Sequence, residues 1–165
     1  MKEIDIREIN SSAVKMINDE WALLSAGNEN GMNTMTVSWG GIGELWNRDV
    51  AFVFVRPQRY TKEFIDKEGR FSLSFFEGEY KKEMGFCGKY SGRDFDKFKE
   101  TGLTPAFEDG VCYIGEAHYV LICKILYEDF IKPENFIDGS LDEGCYPNKD
   151  YHRVYVAQIE KVLKK

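Results

Sequence analysis

The chain holds only two histidines, no pair of cysteines at C-x-x-C spacing, no excess of basic charge and no apolar run near bilayer length. Each absence excludes a class of function. His118 and His152 among scattered carboxylates make neither a nucleophilic triad nor a recognisable metal set, so no metal is expected. Cys87, Cys112, Cys123 and Cys145 are widely spaced and have no histidine at zinc-finger distance, which argues against a redox dithiol or a structural zinc site. Reduced thiols in a cytosolic protein are expected. Twenty-two basic residues against 28 acidic ones leave a net charge of -6, unsuited to a general nucleic-acid binder, which needs a basic face to displace counterions from phosphates. The opening "MKEIDIREIN" is charged and lacks the apolar core of a signal peptide, and nothing approaches the ~20 apolar residues that span a membrane. A cytoplasmic, soluble protein without a membrane or nucleic-acid partner is the expectation.

What is present is hydrophobic mass. With 165 residues, 43% hydrophobic and 15% aromatic, the chain suffices for one domain with a substantial core, assigned to residues 1–165. "NSSAVKMINDEW" reads as a helical turn. "WALLSAGN" and "NTMTVSW" read as a hairpin around Gly27, Asn28, Asn30 and Gly31. "GGIGELWN" reads as a break in regular structure, and "VAFVFV" (50–55), apolar on both faces, as a central strand ended by Arg56-Pro57. A short helix capped by Thr61, the strand "RFSLSFF", a polar helical excursion over 79–101 with Asp94 capping its second part, a long β-rich stretch from Glu116, a turn-rich segment from Lys132 to Asp150 and a last strand follow. Strands outnumber helices and no βαβ alternation appears. A mainly antiparallel barrel with inserted short helices is therefore expected.

Period 2 places Thr34, Thr36 and Ser38 on one face of "NTMTVSW" and Met35, Val37 and Trp39 on the other. A row of hydroxyls is either a solvated face or a hydrogen-bonding surface turned towards something polar. "GGIGELW" has Trp46 where a dinucleotide fingerprint needs its third glycine, and a P-loop motif is absent. In "RPQRYTKEF", Arg56 and Arg59 flank a helix start, where free N–H groups and the helix dipole favour an anion; two solvated arginines in an ordinary turn would look the same. "KYSGRD" offers Lys89, Ser91, Gly92 and Arg93 in a tight loop able to hold an anion, or simply a turn between helices. His118 reads as a structural strand residue, and His152 as a candidate ligand contact near the end of the turn-rich segment.

Taken in order, "NTMTVSWGGIGELW", "VFVRPQRYTKEFI", "FSLSFF", "GFCGKYSGRD" and "DYHRVY" resemble the flavin reductase-like family, with its FMN-binding split-barrel fold, from about Trp21 to Leu163. The resemblance implies a homodimer that binds FMN non-covalently near the subunit interface. It implies that Asn33, Thr34, Met35, Thr36, Ser38 and Trp39 border the flavin ring and ribityl chain, that Arg56, Arg59, Tyr60 and Thr61 take the phosphate, and that Lys89, Ser91, Gly92 and Arg93 close over it. His152 and Arg153 are candidates for the donor side. A fused partner domain is not expected. Under this reading electrons pass from NAD(P)H through or to FMN; alternatively the protein is a flavoredoxin-like carrier reduced by a protein redox partner. In either case the flavin carries the chemistry and no catalytic side chain is needed.

Overall fold

The computed structural model describes all residues, Met1–Lys165. Fourteen strands and α-helices follow along the chain: β1 (Lys2–Ile4), β2 (Ala22–Asn28), β3 (Gly31–Val37), β4 (Gly40–Glu44), β5 (Asp49–Val55), α1 (Thr61–Glu68), β6 (Arg70–Phe75), α2 (Lys81–Lys89), α3 (Lys97–Thr101), β7 (Pro105–Glu108), β8 (Val111–Ile114), β9 (Tyr119–Phe130), α4 (Gly139–Cys145) and β10 (Arg153–Lys164), with short helical turns at Ile6–Glu8, Lys15–Asp19 and Pro133–Asn135. The main sheet is antiparallel throughout, in the order β3-β2-β6-β9-β10-β5-β4, with β1 added to β10. Its end strands β3 and β4 do not pair, so the barrel is split. No helix is long and apolar enough to cross a membrane.

Alternation builds the interior. Leu24 and Ala26 of β2, Met35 and Val37 of β3, Ala51, Val53 and Val55 of β5, Phe71, Leu73 and Phe75 of β6, Leu121 and Cys123 of β9, and Tyr155 and Ala157 of β10 meet in one buried cluster. The opposite faces of β2, β6 and β9 are buried too. A second cluster joins Leu23, Val120 and Ile122 to Met84 and Cys87 of α2 and to Val111 and Ile114 of β8. Register shifts in the β9–β10 ladder at Val156/Ala157 and Ile159/Lys161 let these long strands curve round the core.

Several sequence expectations change in three dimensions. The glycine stretch 40–44 forms a strand, β4, paired with β5; the Phe52 ring lies along it at Gly41 and Gly43, and a Cβ at Gly40 would come within 2.6 Å of the Phe52 carbonyl oxygen, so that position takes only glycine. β5 is not central but next to the end of the sheet, and Phe52 and Phe54 on its outer face are only half-buried. Tyr60, not Thr61, occupies the cap position of α1, and the Thr61 side chain caps nothing. In α3 the cap is Asp96, whose carboxylate accepts from the Lys99 N–H, rather than Asp94. At the β2–β3 turn, Gly27 has φ +106°, and a Cβ there would lie 2.2 Å from the Gly31 carbonyl oxygen, so only glycine fits.

The hydroxyl face also finds its partners inside the protein. Thr34 pairs across the sheet with Ser25, and Ser25 in turn with Ser72. All three are fully buried. Ser25 Oγ donates to Thr34 Oγ1 (2.9 Å), Thr34 Oγ1 to the Leu24 carbonyl (3.3 Å) and Ser72 Oγ to the Cys112 carbonyl (2.7 Å), while Ser74 Oγ accepts from the Ile114 N–H (3.2 Å). Thr36 Oγ1 donates to the Met84 carbonyl of α2. Thr36, Ser72 and Ser74 thus fasten the sheet to the layer made by α2 and β8, while Ser25 and Thr34 tie β2 to β3.

Candidate functional site

Where β3, β5 and β10 come together, a cleft of about 170 Å³ is lined by Met35, Thr36, Val37, Ser38, Trp39, Phe54, Arg56, Arg59 and His152. The chain leaves β3 at Val37, so strand alternation no longer governs Trp39. Its indole stands 48% exposed at the rim, with its ring centroid 5.3 Å from that of His152. Met35 stays in the core and still forms part of the wall.

A second pocket, of about 300 Å³, adjoins the cleft and shares Arg56 and Arg59 with it. Tyr60, Gly88, Lys89, Tyr90, Ser91, Gly92 and Lys97 are among its walls. The combined lining carries Arg56, Arg59, Lys89 and Lys97 and no aspartate or glutamate. In a chain with a net charge of -6, that is a local reversal of sign suited to an anion.

The four cations are not equivalent. Arg56 is engaged within the protein: Nη1 lies 2.6 Å from the Asp150 carboxylate, Nη2 donates to the Cys145 carbonyl at 2.9 Å, and the guanidinium sits 5.2 Å from the Tyr146 ring centroid. Arg59 makes no ion pair; it donates to the Gly88 carbonyl at 2.6 Å, and burial, then the nearby Arg56 charge, lower its pKa. Lys89 is exposed on the rim. Lys97 is 3% exposed, its ammonium donating to the carbonyls of Thr34 and Cys87, both at 2.8 Å. A lysine ammonium has three donors, so one remains for a ligand. Burial lowers the Lys97 pKa to about 8, with the Arg59 charge acting in the same direction. Lys97 is the site residue that sequence reading passes over, because one lysine of "DFDKFKET" carries no local mark of burial.

The other expected contacts divide. Tyr60, Lys89, Ser91 and Gly92 line the second pocket, and Ser38 lines the cleft. Gly92 is required there by close approach, since a Cβ would come within 2.2 Å of Asn33 Oδ1. Asn33 is buried, its amide donating to Thr61 Oγ1 at 2.9 Å; it lies outside the cleft but lines, with Arg93, a further pocket of about 460 Å³ that shares Tyr60, Gly92 and Lys97 with the second. The Thr34 hydroxyl is turned away, held by Ser25 and Leu24. Arg93 is committed to Glu63 and to the Gln58 carbonyl (3.2 Å), and lies 4.7 Å from the Tyr60 ring centroid. Arg153 stands outside the cleft, because neighbouring residues of an extended chain point to opposite faces; it pairs with Glu128 at 2.7 Å.

His152 does reach the cleft. Its Nδ1 is 2.8 Å from the Tyr146 hydroxyl, and Phe54 packs edge-on with ring centroids 6.4 Å apart. Burial, then the Arg56 charge, lower its pKa to about 4, so the imidazole is neutral near pH 7. His118 lies elsewhere, 3.0 Å from Glu77. No group of three or more histidine, cysteine, aspartate or glutamate side chains converges in a way that could hold a metal ion.

No curated protein sequence matches the chain. Among solved structures, flavoredoxin of Desulfovibrio vulgaris (Miyazaki F) superposes with a TM-score of 0.68 at 22% identity, covering 88% of this chain and 69% of that one. Flavoredoxin from Methanosarcina acetivorans gives 0.67 at 21% identity, covering 100% and 76%. The styrene monooxygenase flavin reductase from Pseudomonas putida S12 gives 0.62 at 18% identity, covering 88% and 79%. These likenesses establish the split-barrel fold. The sequence model of the flavin reductase like domain matches residues 17–162, nearly the whole chain, and the protein accordingly belongs to the flavin reductase-like family.

Proposed function

We propose that the protein binds FMN non-covalently in the cleft and its adjoining pocket, and serves as an oxidoreductase that passes electrons from NAD(P)H through or to the flavin. The observation that carries this is the paired lining: an aromatic cleft that shares Arg56 and Arg59 with a cationic pocket whose walls include no aspartate or glutamate. The residues fit such a group. Trp39, Phe54 and Met35 offer apolar surface to a planar ring. Arg59 and Lys97 offer unpaired cationic donors to a phosphate, and the Ser91–Gly92 turn borders the same pocket. Bound flavin would supply the hydride chemistry. The chain's own part is to hold the phosphate, to exclude water from one side of the ring with Trp39 and His152, and to present polar groups along the ring's edge.

The outer face of β5, β9 and β10 supports the homodimer that the resemblance implies. Phe52, Phe54, Val154 and Tyr127 form adjacent rows there, Trp46 packs edge-on to Tyr127 at 6.3 Å, and the exposed Trp39 leads from this face into the cleft. Sedimentation of the purified protein as a monomer would count against that arrangement.

The decisive experiment for function is anaerobic titration of the flavin-loaded protein with NADH and with NADPH, read at the flavin absorbance maximum. Bleaching by either nucleotide is the expected result. Flavin that survives gel filtration and bleaches only when a reduced redox protein is added would make the protein a carrier, in the manner of the flavoredoxins it resembles. Failure to bind FMN would reject both.

A further inference from the structure

Tyr146 belongs to the turn-rich segment between α4 and β10, yet it is only 3% exposed. Its hydroxyl meets Nδ1 of His152 at 2.8 Å and finds no other acceptor within the protein. That leaves one satisfactory assignment of the proton. If the phenol donates, its hydrogen is used on Nδ1; if Nδ1–H donated instead, a buried O–H would be left without an acceptor. A neutral imidazole whose Nδ1 accepts carries its hydrogen on Nε2. Nε2 makes no hydrogen bond within the protein and is not sealed from solvent, while the ring itself lines the cleft between Trp39 and Phe54. The charged groups acting on the ring are Arg56, Arg59 and Asp150; the two arginines oppose its protonation, and the single carboxylate is already paired with Arg56.

We propose that Tyr146 is a positioning residue that fixes His152 as the Nε2–H tautomer, so that the cleft presents one neutral N–H donor to a carbonyl oxygen of a planar ligand. Fixing the tautomer depends on this chain alone. Only the source of the carbonyl, the flavin ring or the carboxamide of a nicotinamide donor, rests on the proposed function. The arrangement explains why an aromatic ring from a surface segment is buried beside the cleft: it orients the imidazole as a second hydrogen-bonding partner does for many functional histidines.

The test is long-range nitrogen–proton NMR of the uniformly labelled full chain, in which only two imidazoles contribute and His118 serves as the internal control. In the wild type the His152 signals are expected in the Nε2–H pattern, without titration between pH 5.5 and 8. Tyr146→Phe is expected to give mixed tautomers, with His118 and the backbone amides unmoved. A wild-type Nδ1–H pattern overturns the proposal even if the variant does not fold, and so does an unchanged His152 pattern in a folded variant. Riboflavin, then reduced nicotinamide mononucleotide, are added next. A shift of Nε2–H on the first addition assigns the carbonyl to the flavin, a shift on the second alone assigns it to the donor, and no shift although both bind overturns the donor role. Riboflavin fluorescence separates the two failures: absence of binding rejects the flavin reading, and the tautomer result is judged without it.

Discussion

Arg56 and Asp150 are joined at 2.6 Å, a pairing that ties the turn-rich segment to the end of β5 and removes one of the two arginines of "RPQR" from the list of free cations. Gln58 donates to the same carboxylate at 2.8 Å, and both partners of the ion pair are mostly shielded from solvent. The two arginines therefore carry different tasks, although they lie three residues apart.

This makes a direct comparison possible. Arg59→Met is expected to weaken FMN by about 1.5 to 3 kcal/mol, the worth of a hydrogen bond to a charged group, and to leave riboflavin nearly unaffected. The double variant Arg56→Met/Asp150→Asn, which removes both charges of the pair, should alter FMN affinity less than threefold. Fluorescence titrations with both flavins measure the ratio. Equal losses of FMN and riboflavin in Arg59→Met would show that the arginine supports the fold by its bond to the Gly88 carbonyl and does not hold a phosphate.

Lys97 gives the site a pH dependence. Its pKa is lowered to about 8 because the ammonium is buried, so the cation that would face the phosphate is lost as pH rises past that value. FMN affinity is expected to be level between pH 7 and 7.5, where the phosphate is already doubly ionised, and to fall progressively between pH 8 and 10, while riboflavin affinity stays level over the same range. The sign for folding is opposite: the unfolded chain holds the lysine proton more tightly, so this residue's contribution to stability grows between pH 8 and 10.5. Lys97→Met should abolish the pH dependence of the FMN-to-riboflavin ratio.

Thr34 tests the buried hydroxyl row. Thr34→Val keeps the shape, but leaves the Ser25 hydroxyl without its acceptor in a fully buried place. The expected cost is about 1 to 3 kcal/mol of stability in urea unfolding, with flavin affinity unchanged. A variant of normal stability that binds flavin tenfold more weakly would restore Thr34 to the ligand surface.

His152 links stability to acid. Its folded pKa of about 4 lies below the ordinary value of 6.5, so the unfolded chain takes up the proton first as pH falls. The stability contribution is present above pH 6.5 and is lost on going down towards pH 4, by at most about 3 kcal/mol. His152→Gln should show a smaller loss than the wild type between pH 6.5 and 4.5, measured by denaturant unfolding at each pH. Parallel curves would mean that carboxylates alone govern the acid response.

Much of the molecule was legible because short-range rules govern it. Alternation marked β3 and β6, apolar runs marked β2, β9 and β10, and turn residues marked the Gly27–Gly31 hairpin. The misread pieces are those where a neighbour far along the chain decides. Glycines 40, 41 and 43 look like a loop until Phe52 of the paired strand lies against them. "VAFVFV" looks doubly buried because apolar composition cannot tell a strand in the middle of a sheet from one whose outer face is left for another surface. Asp94 and Asp96 are equivalent by composition, and only the local chain path selects Asp96.

The sequence by itself determined an antiparallel β-rich chain, two hydroxyl-bearing strands, an arginine-containing turn and a glycine-containing loop, since all these depend on residue types at short spacing. Tertiary structure decided what those groups face. The hydroxyls of Thr36, Ser72 and Ser74 turn to a packed second layer and that of Thr34 to the neighbouring strand, because a buried polar group takes whatever partner the fold brings within reach. Arg56 is neutralised by Asp150 from 94 positions away, whereas Lys97, unremarkable in its own segment, is carried into a cavity beside Arg59. Charge pairing and desolvation depend on distance through space, and that distance is set only when the split barrel folds round its core.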